Sequence, residues 1–208
     1  MAFPLNLTAT LTGASITQLR RWSASGLLKP EAHEHRPMMY SFRDLIALRS
    51  IVYLRRETSL QRVRKALANL DVIDLTEHPS SYRFFTDGRS IAVGDPNEDD
   101  VVVDLVKERG QTTDLTLAAV YDRFETKAGR VVESFLKPKP RLEVNPRRMG
   151  GWPTIQGTRI TYDTLADLVD DETIRIEDVP KYYPVSIQDV REALDFAHKV
   201  KSADRRAG

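Results

Sequence analysis

The stretch TGASITQLRRW, residues 12–22, constrains this chain more tightly than any other. Gly13 supplies a tight turn, since glycine enters the left-handed backbone region without steric cost. Ser15 follows as an N-cap, a residue whose hydroxyl accepts an orphan amide of the first helical turn. Ile16 and Leu19 then recur at helical spacing, and Trp22 continues the stripe three residues on. A short segment ending at Leu11, a glycine turn and a second helix over 16–23 read as a helix-turn-helix. With the apolar stripe committed to a core, Thr17, Gln18, Arg20 and Arg21 point mostly outward. Glutamine and arginine are side chains that reach base edges and phosphates.

Charge agrees with that reading. The net charge of +1 conceals an uneven distribution. Residues 1–70 hold 11 Lys or Arg against 4 Asp or Glu, residues 71–140 hold 9 against 14, and residues 141–208 hold 11 against 12. A basic head points to a nucleic-acid contact at the N-terminus, with a solvated basic face as the plain alternative. There is no cysteine, so disulfides and thiolate metal sites are excluded. No apolar run approaches the length of a membrane span. The first residues lack the basic-then-apolar order of a secretory leader. The expected location is the cytoplasm.

The rest of the head is helical. SFRD at 41–44 has the form of a capping box and opens a helix with Phe42, Leu45, Leu48 and Val52 on one face. Leu60, Val63, Leu67 and Leu70 mark one further helix. TGASITQLRRWSASGLLKP, a wing ending in the Y-S-x-x-D-L pattern at 40–45, and SLQRVRKAL together resemble the MerR-type winged helix-turn-helix. The resemblance implies that the second helix enters a DNA major groove and that the wing touches the backbone. The implied DNA-binding residues are Ser15, Thr17, Gln18, Arg20 and Arg21, with Arg36 and Tyr40 from the wing. Arg20 occupies the family's DNA-contacting arginine position. The wing departs from the pattern. Met38 stands where the family has an arginine, Arg36 is its only base, and Glu31 and Glu34 would repel phosphate. The long coiled-coil helix and metal-binding cysteines of classical MerR regulators are missing.

In the middle, RFFTDGRSIAV (83–93) places two apolar runs around Asp87-Gly88, a hairpin signal. DPNEDD is a loop and VVVDLV (101–106) a third strand. Leu117, Val120 and Phe124 fit a helix, while Val131, Val132, Phe135 and Leu136 fit either helix or strand. KPKP at 137–140 reads as a linker. Asp99, Asp100 and Asp104 read as a solvated acidic turn rather than a metal site.

In the tail, GGWPTIQGTRI (150–160) packs three glycines and a proline into a short run. A phosphate-binding P-loop needs Lys then Ser or Thr after its last glycine, and Gly157 is followed by Thr158-Arg159. The run leads instead into a short helix, TYDTLADLV. IEDVPKYY carries another apolar stripe. Ser186 and Asp189 form a capping box for a last helix with Ile187, Val190, Leu194 and Ala197 inward. NPRRMGGWPTIQGTRI and YPVSIQDVREALDFA closely resemble a small domain of unknown function known from short antitoxins that accompany PIN-type ribonucleases. Gly150, Gly151, Pro153, Ile155, Gly157, Thr158 and Arg159 match its signature. The acidic stretch 170–172 replaces a glycine turn.

The expected fold is α+β and mostly helical. It comprises a winged helix-turn-helix over 1–70, a central α/β region with a small sheet and linker over 71–140, and a trihelical unit over 141–208. The combined resemblance implies a VapB-type antitoxin that represses its own operon as a homodimer and neutralises a VapC-like PIN-domain ribonuclease. VVVDLV is the candidate dimer strand. Arg147, Arg148 and Arg159 are the candidate toxin-binding cations, suited to an acidic catalytic centre. The head is expected to serve DNA and the remainder the toxin. A ligand-responsive MerR-like regulator without a toxin partner is the alternative. An enzyme is not expected. His33, His35, His78 and His198 do not pair at hydrolase spacing, there is no G-x-S-x-G, and neither catalytic residues nor a cofactor or metal are called for.

Overall fold

The head folds as its caps demand. In the computed structural model, the described residues are 1–72, 77–86, 91–94, 102–104, 113–114, 117–171 and 174–205. Strand β1 (Phe3–Pro4) leads into α1 (Leu5–Thr12), which ends at Gly13 with φ of 80°. Helix α2 (Ile16–Ala24) starts at Ser15 with a complete capping box. The Gln18 amide donates to Ser15 Oγ at 3.1 Å, and the Ser15 amide donates to Gln18 Oε1 at 2.8 Å. Ile16, Leu19 and Trp22 are buried as their spacing requires. Strand β2 (Met39–Tyr40) pairs antiparallel with β1. Helix α3 (Phe42–Glu57) opens on a second capping box, Ser41 with Asp44, and α4 (Leu60–Val72) follows.

The middle region is a four-stranded antiparallel sheet. Strands β3 (Arg83–Thr86) and β4 (Ile91–Gly94) form the expected hairpin, with Thr86 opposite Ile91. Their Asp87-Gly88 turn and the DPNEDD loop, with Asp99 and Asp100, lie outside the described residues. Strand β5 (Val102–Asp104), from the VVVDLV run, pairs with β4, and β6 (Thr113–Asp114) pairs with β3. Among the described strands, the order β5-β4-β3-β6 puts β5 at an edge. Helix α5 (Leu117–Tyr121) is shorter than the stripe Leu117–Val120–Phe124 suggested. Phe124 belongs to strand β7 (Phe124–Glu125), which pairs with β8 (Val131–Val132). Phe124 faces Val132 across this hairpin and both are buried. Cross-strand burial thus outweighs helical spacing here.

The tail begins with β9 (Leu142–Glu143) paired to β10 (Thr154–Ile155), then α6 (Tyr162–Asp170), α7 (Val179–Tyr182) and the long α8 (Ile187–Arg205). The Ser186–Asp189 cap forms, with the Asp189 amide donating to Ser186 Oγ and the Ser186 amide to Asp189 Oδ2. Helix α8 packs on α6 and, on another side, on α1. Its inward residues are therefore Val190, Ala193, Phe196, Ala197 and Val200, while Ile187 is 38% exposed. Of the expected stripe, Val190 and Ala197 are buried and Leu194 packs against the core, while Ile187 alone stands out at the start of the helix. The KPKP segment is no free linker. Pro138 is buried, Lys139 pairs with Asp195, and Arg141 reaches Asp189 at 3.1 Å. The fold is α+β and mostly helical.

Head, middle and tail share one apolar core running from Phe3 to Val200. The glycine-rich arm docks on the head. A Cβ on Gly151 would lie 2.4 Å from the Phe42 ring, and one on Gly150 2.7 Å from Met1. Trp152 stacks on Phe3 at 5.5 Å between centroids and donates its indole N–H to Asp163. These glycines let the tail's backbone approach the head, a role unrelated to phosphate binding.

Arg49 of α3 completes the junction. It is fully buried. Its guanidinium donates to the carbonyls of Leu11, Val120, Asp122 and Glu133, and its Cζ lies 5.0 Å from the Phe124 centroid. Burial pushes its pKa down to about 10, with Asp122 opposing. The group therefore stays charged at neutral pH. Carbonyl dipoles, rather than a paired carboxylate, satisfy its donors.

Candidate DNA interface

Helix α2 is held by its cap at one end and by Ile16, Leu19 and Trp22 along its inner face. Thr17, Arg20 and Arg21 are exposed on the outer face. Gln18 is half-buried, and its amide oxygen is spent on the Ser15 amide. Ser15 in turn spends its hydroxyl oxygen on the Gln18 amide. The structure thus separates the seven head residues singled out from sequence. Thr17, Arg20, Arg21 and Arg36 are outward, Ser15 and Gln18 build the cap, and Tyr40 is a correction. Tyr40 is 0% exposed and donates its hydroxyl to the Leu19 carbonyl at 3.4 Å. It ties the wing strand to the back of α2, with its hydroxyl turned into the protein rather than to the surface. Burial, seconded by Asp44, raises its pKa well above the ordinary range.

On one flank of α2 lies the wing. Arg20 and Arg36 line one broad cleft with Glu34, Pro37, Met38 and Asn6. His33 and Met39 exchange backbone hydrogen bonds, and His33 Nδ1 lies 2.9 Å from the Pro37 carbonyl. His33 therefore serves to close the loop. The two wing carboxylates are less repulsive than sequence suggested. Glu34 pairs with Lys29 at 3.2 Å, and Glu31 turns back to Arg43 at 2.7 Å and to the Ser41 hydroxyl.

On the opposite flank lies an element that sequence reasoning missed. A cleft of about 450 Å³ is lined by Thr17, Gln18 and Arg21 of α2, Arg55 of α3, and Lys127 and Arg130 from the β7–β8 turn. The available signal was Gly129 in a five-residue turn between Glu125 and the β-branched pair Val131-Val132. The bases of α2 therefore have basic neighbours on both sides.

Among the described residues, Glu31, Asp44 and His78 form one group with metal-ligand spacing. Its ligand atoms already have partners. Asp44 Oδ2 accepts from the Glu31 and Ser41 amides, and Asp44 Oδ1 from His78 Nε2 at 3.1 Å. The group latches the wing base and the segment at 77–82 onto the α3 cap. In the tail, Arg147 and Arg159 are exposed and pair with no carboxylate among the described residues. Arg148 is committed. It pairs with Glu143, which also accepts the Gly157 amide at 3.1 Å, so this pair holds the glycine arm in shape.

A helix-turn-helix with an exposed basic second helix is the architecture of DNA-binding regulators. Residues 5–70 match the model of the MerR HTH family regulatory proteins, and residues 142–197 match that of a protein of unknown function (DUF433). The head is thus similar to the MerR helix-turn-helix family and the tail to DUF433. Over 67 residues it is 34% identical to Uncharacterized protein Rv2308 of Mycobacterium tuberculosis, a match covering 32% of this chain and 28% of that relative. Its fold resembles the crystal structure of Rv2018 from Mycobacterium tuberculosis. The TM-score is 0.53 over 93% of this chain and 96% of the other, at 15% identity, so the likeness is one of fold. No helix among the described residues is long and apolar enough to cross a membrane.

Proposed function

We propose that this protein is an operator-binding autorepressor and the antitoxin of a PIN-type ribonuclease. The observation that carries the DNA part is the exposed face of α2, where Thr17, Arg20 and Arg21 stand clear of the core between two basic flanks. Arg20 and Arg21 are about 100° apart on the helix, so each addresses a different wall of a major groove. A homodimer reads two half-sites, and the edge strand β5 is the proposed pairing element.

The toxin part is a reading of the tail, whose matched family has no assigned function, and it is supported by Arg147 and Arg159, exposed beside the glycine arm with no carboxylate partner among the described residues. Arg148 leaves the set, since its charge is used by Glu143. Isolating residues 71–208 is a poor test, because it exposes the faces that Phe3, Phe42 and α1 cover. Point variants separate the functions instead. Arg20→Ala should lose binding to DNA upstream of its own gene, measured by fluorescence anisotropy, while still rescuing growth against a PIN ribonuclease encoded beside it. Arg159→Glu should do the reverse. Full operator affinity in Arg20→Ala removes the recognition-helix assignment. Failure of the full chain to co-purify with the neighbouring ribonuclease removes the antitoxin reading.

A further inference from the structure

We propose that the β7–β8 turn is an additional phosphate-gripping arm, with Lys127 and Arg130 contacting the DNA backbone alongside α2; the inference rests on the DNA-binding reading above. Position comes first. Both bases line the same cleft as Thr17, Gln18 and Arg21, on the flank opposite the Arg20–Arg36 cleft. A helix lying in a major groove about 12 Å wide is bordered by two sugar-phosphate backbones. The wing side of α2 meets one of them, and the β7–β8 side meets the other.

Rigidity comes second, because an arm grips only if it is held. Arg49 accomplishes this with one guanidinium. It binds the carbonyls of Asp122 and Glu133, which lie just outside the two strands, and the carbonyl of Leu11 on α1. Both legs of the hairpin are thereby fastened to the helix-turn-helix. Val132 packs against Gly13, where a Cβ would lie 2.4 Å from its Cγ2. Phe124 packs edge-on against Tyr53 at 5.1 Å. The turn itself is closed by Thr126 N to Arg130 O at 2.8 Å and Gly129 N to Thr126 O at 2.9 Å. Its tip thus has a set position relative to the recognition helix.

Charge comes third. The middle region is acidic overall, yet its β7–β8 turn beside α2 presents exposed Lys127 and Arg130. Glu125, just before the turn on β7, is the carboxylate of the hairpin itself and is also exposed. Lys199 of α8 adds a further exposed base, lining a neighbouring cleft with Arg130, Gly13 and Ser15. Bases that contact phosphates carry no sequence information, so their contribution is independent of sequence.

The test compares the full chain with the double variant Lys127→Gln/Arg130→Gln, and with Lys181→Gln as a control in the tail. Anisotropy is measured on the upstream DNA and on a scrambled duplex between about 50 and 200 mM salt. The double variant should lose about tenfold or more in affinity for both duplexes. Its slope of log K against log salt should shrink by roughly two, near 0.9 per phosphate contact. The ratio of the two affinities should stay constant, and thermal melting should match the parent. A parent that binds and a double variant with unchanged slope overturn the arm while leaving α2 in place. A double variant that loses its preference for the upstream sequence also overturns it, since the turn would then be reading bases. A parent that binds neither duplex removes the DNA-binding reading itself.

Discussion

Replacing Arg49 with methionine removes the clamp while keeping the apolar stem. Its guanidinium serves five carbonyls, two on buried residues (Leu11 and Val120) and three on the more exposed Tyr121, Asp122 and Glu133. The outer three can turn to water at little cost. The inner pair cannot, and each orphaned buried acceptor costs about 1–3 kcal/mol. That makes a gross loss of roughly 2–6 kcal/mol. Relief from burying a charge offsets part of it, as does methionine packing against Phe124 and Phe135, so the net loss is about 2–4 kcal/mol. For a chain of this length the midpoint falls by about 2–4 °C per kcal/mol, hence about 5–15 °C in a thermal melt. Arg49→Lys should recover little, because one ammonium cannot match the planar fork. A melt of Arg49→Met within 2 °C of the parent refutes the reasoning. So would a Lys variant as stable as the parent.

Gly151→Ala should destabilise by about 2–4 kcal/mol in chemical denaturation, from a positive φ of 85° combined with a Cβ 2.4 Å from Phe42; equal stability would mean the arm does not dock tightly on the head. Stability should fall above about pH 10, because buried Tyr40 and Tyr162 have raised pKa values and hold their protons in the folded state where the unfolded chain releases them. Arg49, whose pKa is lowered, works in the opposite direction in the same range, so Tyr40→Phe should flatten the alkaline decline measured by circular dichroism. Ser186→Ala should cost about 1 kcal/mol through loss of the α8 cap, read from the thermal midpoint. Sedimentation at micromolar concentration should show a species of twice 23.6 kDa; a monomer alone excludes pairing through β5.

What was legible in the sequence is what short windows encode. The caps at Ser15, Ser41 and Ser186, the turn at Gly13 and the inner face of α2 each depend on residues within about four positions of one another. Those same windows bear the match to a MerR-type helix-turn-helix and put Arg20 and Arg21 outside. They do not reveal what lies behind a residue. Tyr40 looks like a wing residue and is buried under α2, because β2 is drawn into the core by pairing with β1. Helix α3 is apolar on most sides, so its period cannot say which side receives the middle of the chain. Arg49 sits on it like a surface base, until carbonyls 38 to 84 residues distant in sequence surround it. Dense glycine in the tail announces a close approach, yet the partner, Phe42, stands more than a hundred residues earlier. The cleft between α2 and the β7–β8 turn belongs to this second kind. Its walls come from three separate segments, and only packing around one buried cation brings them together.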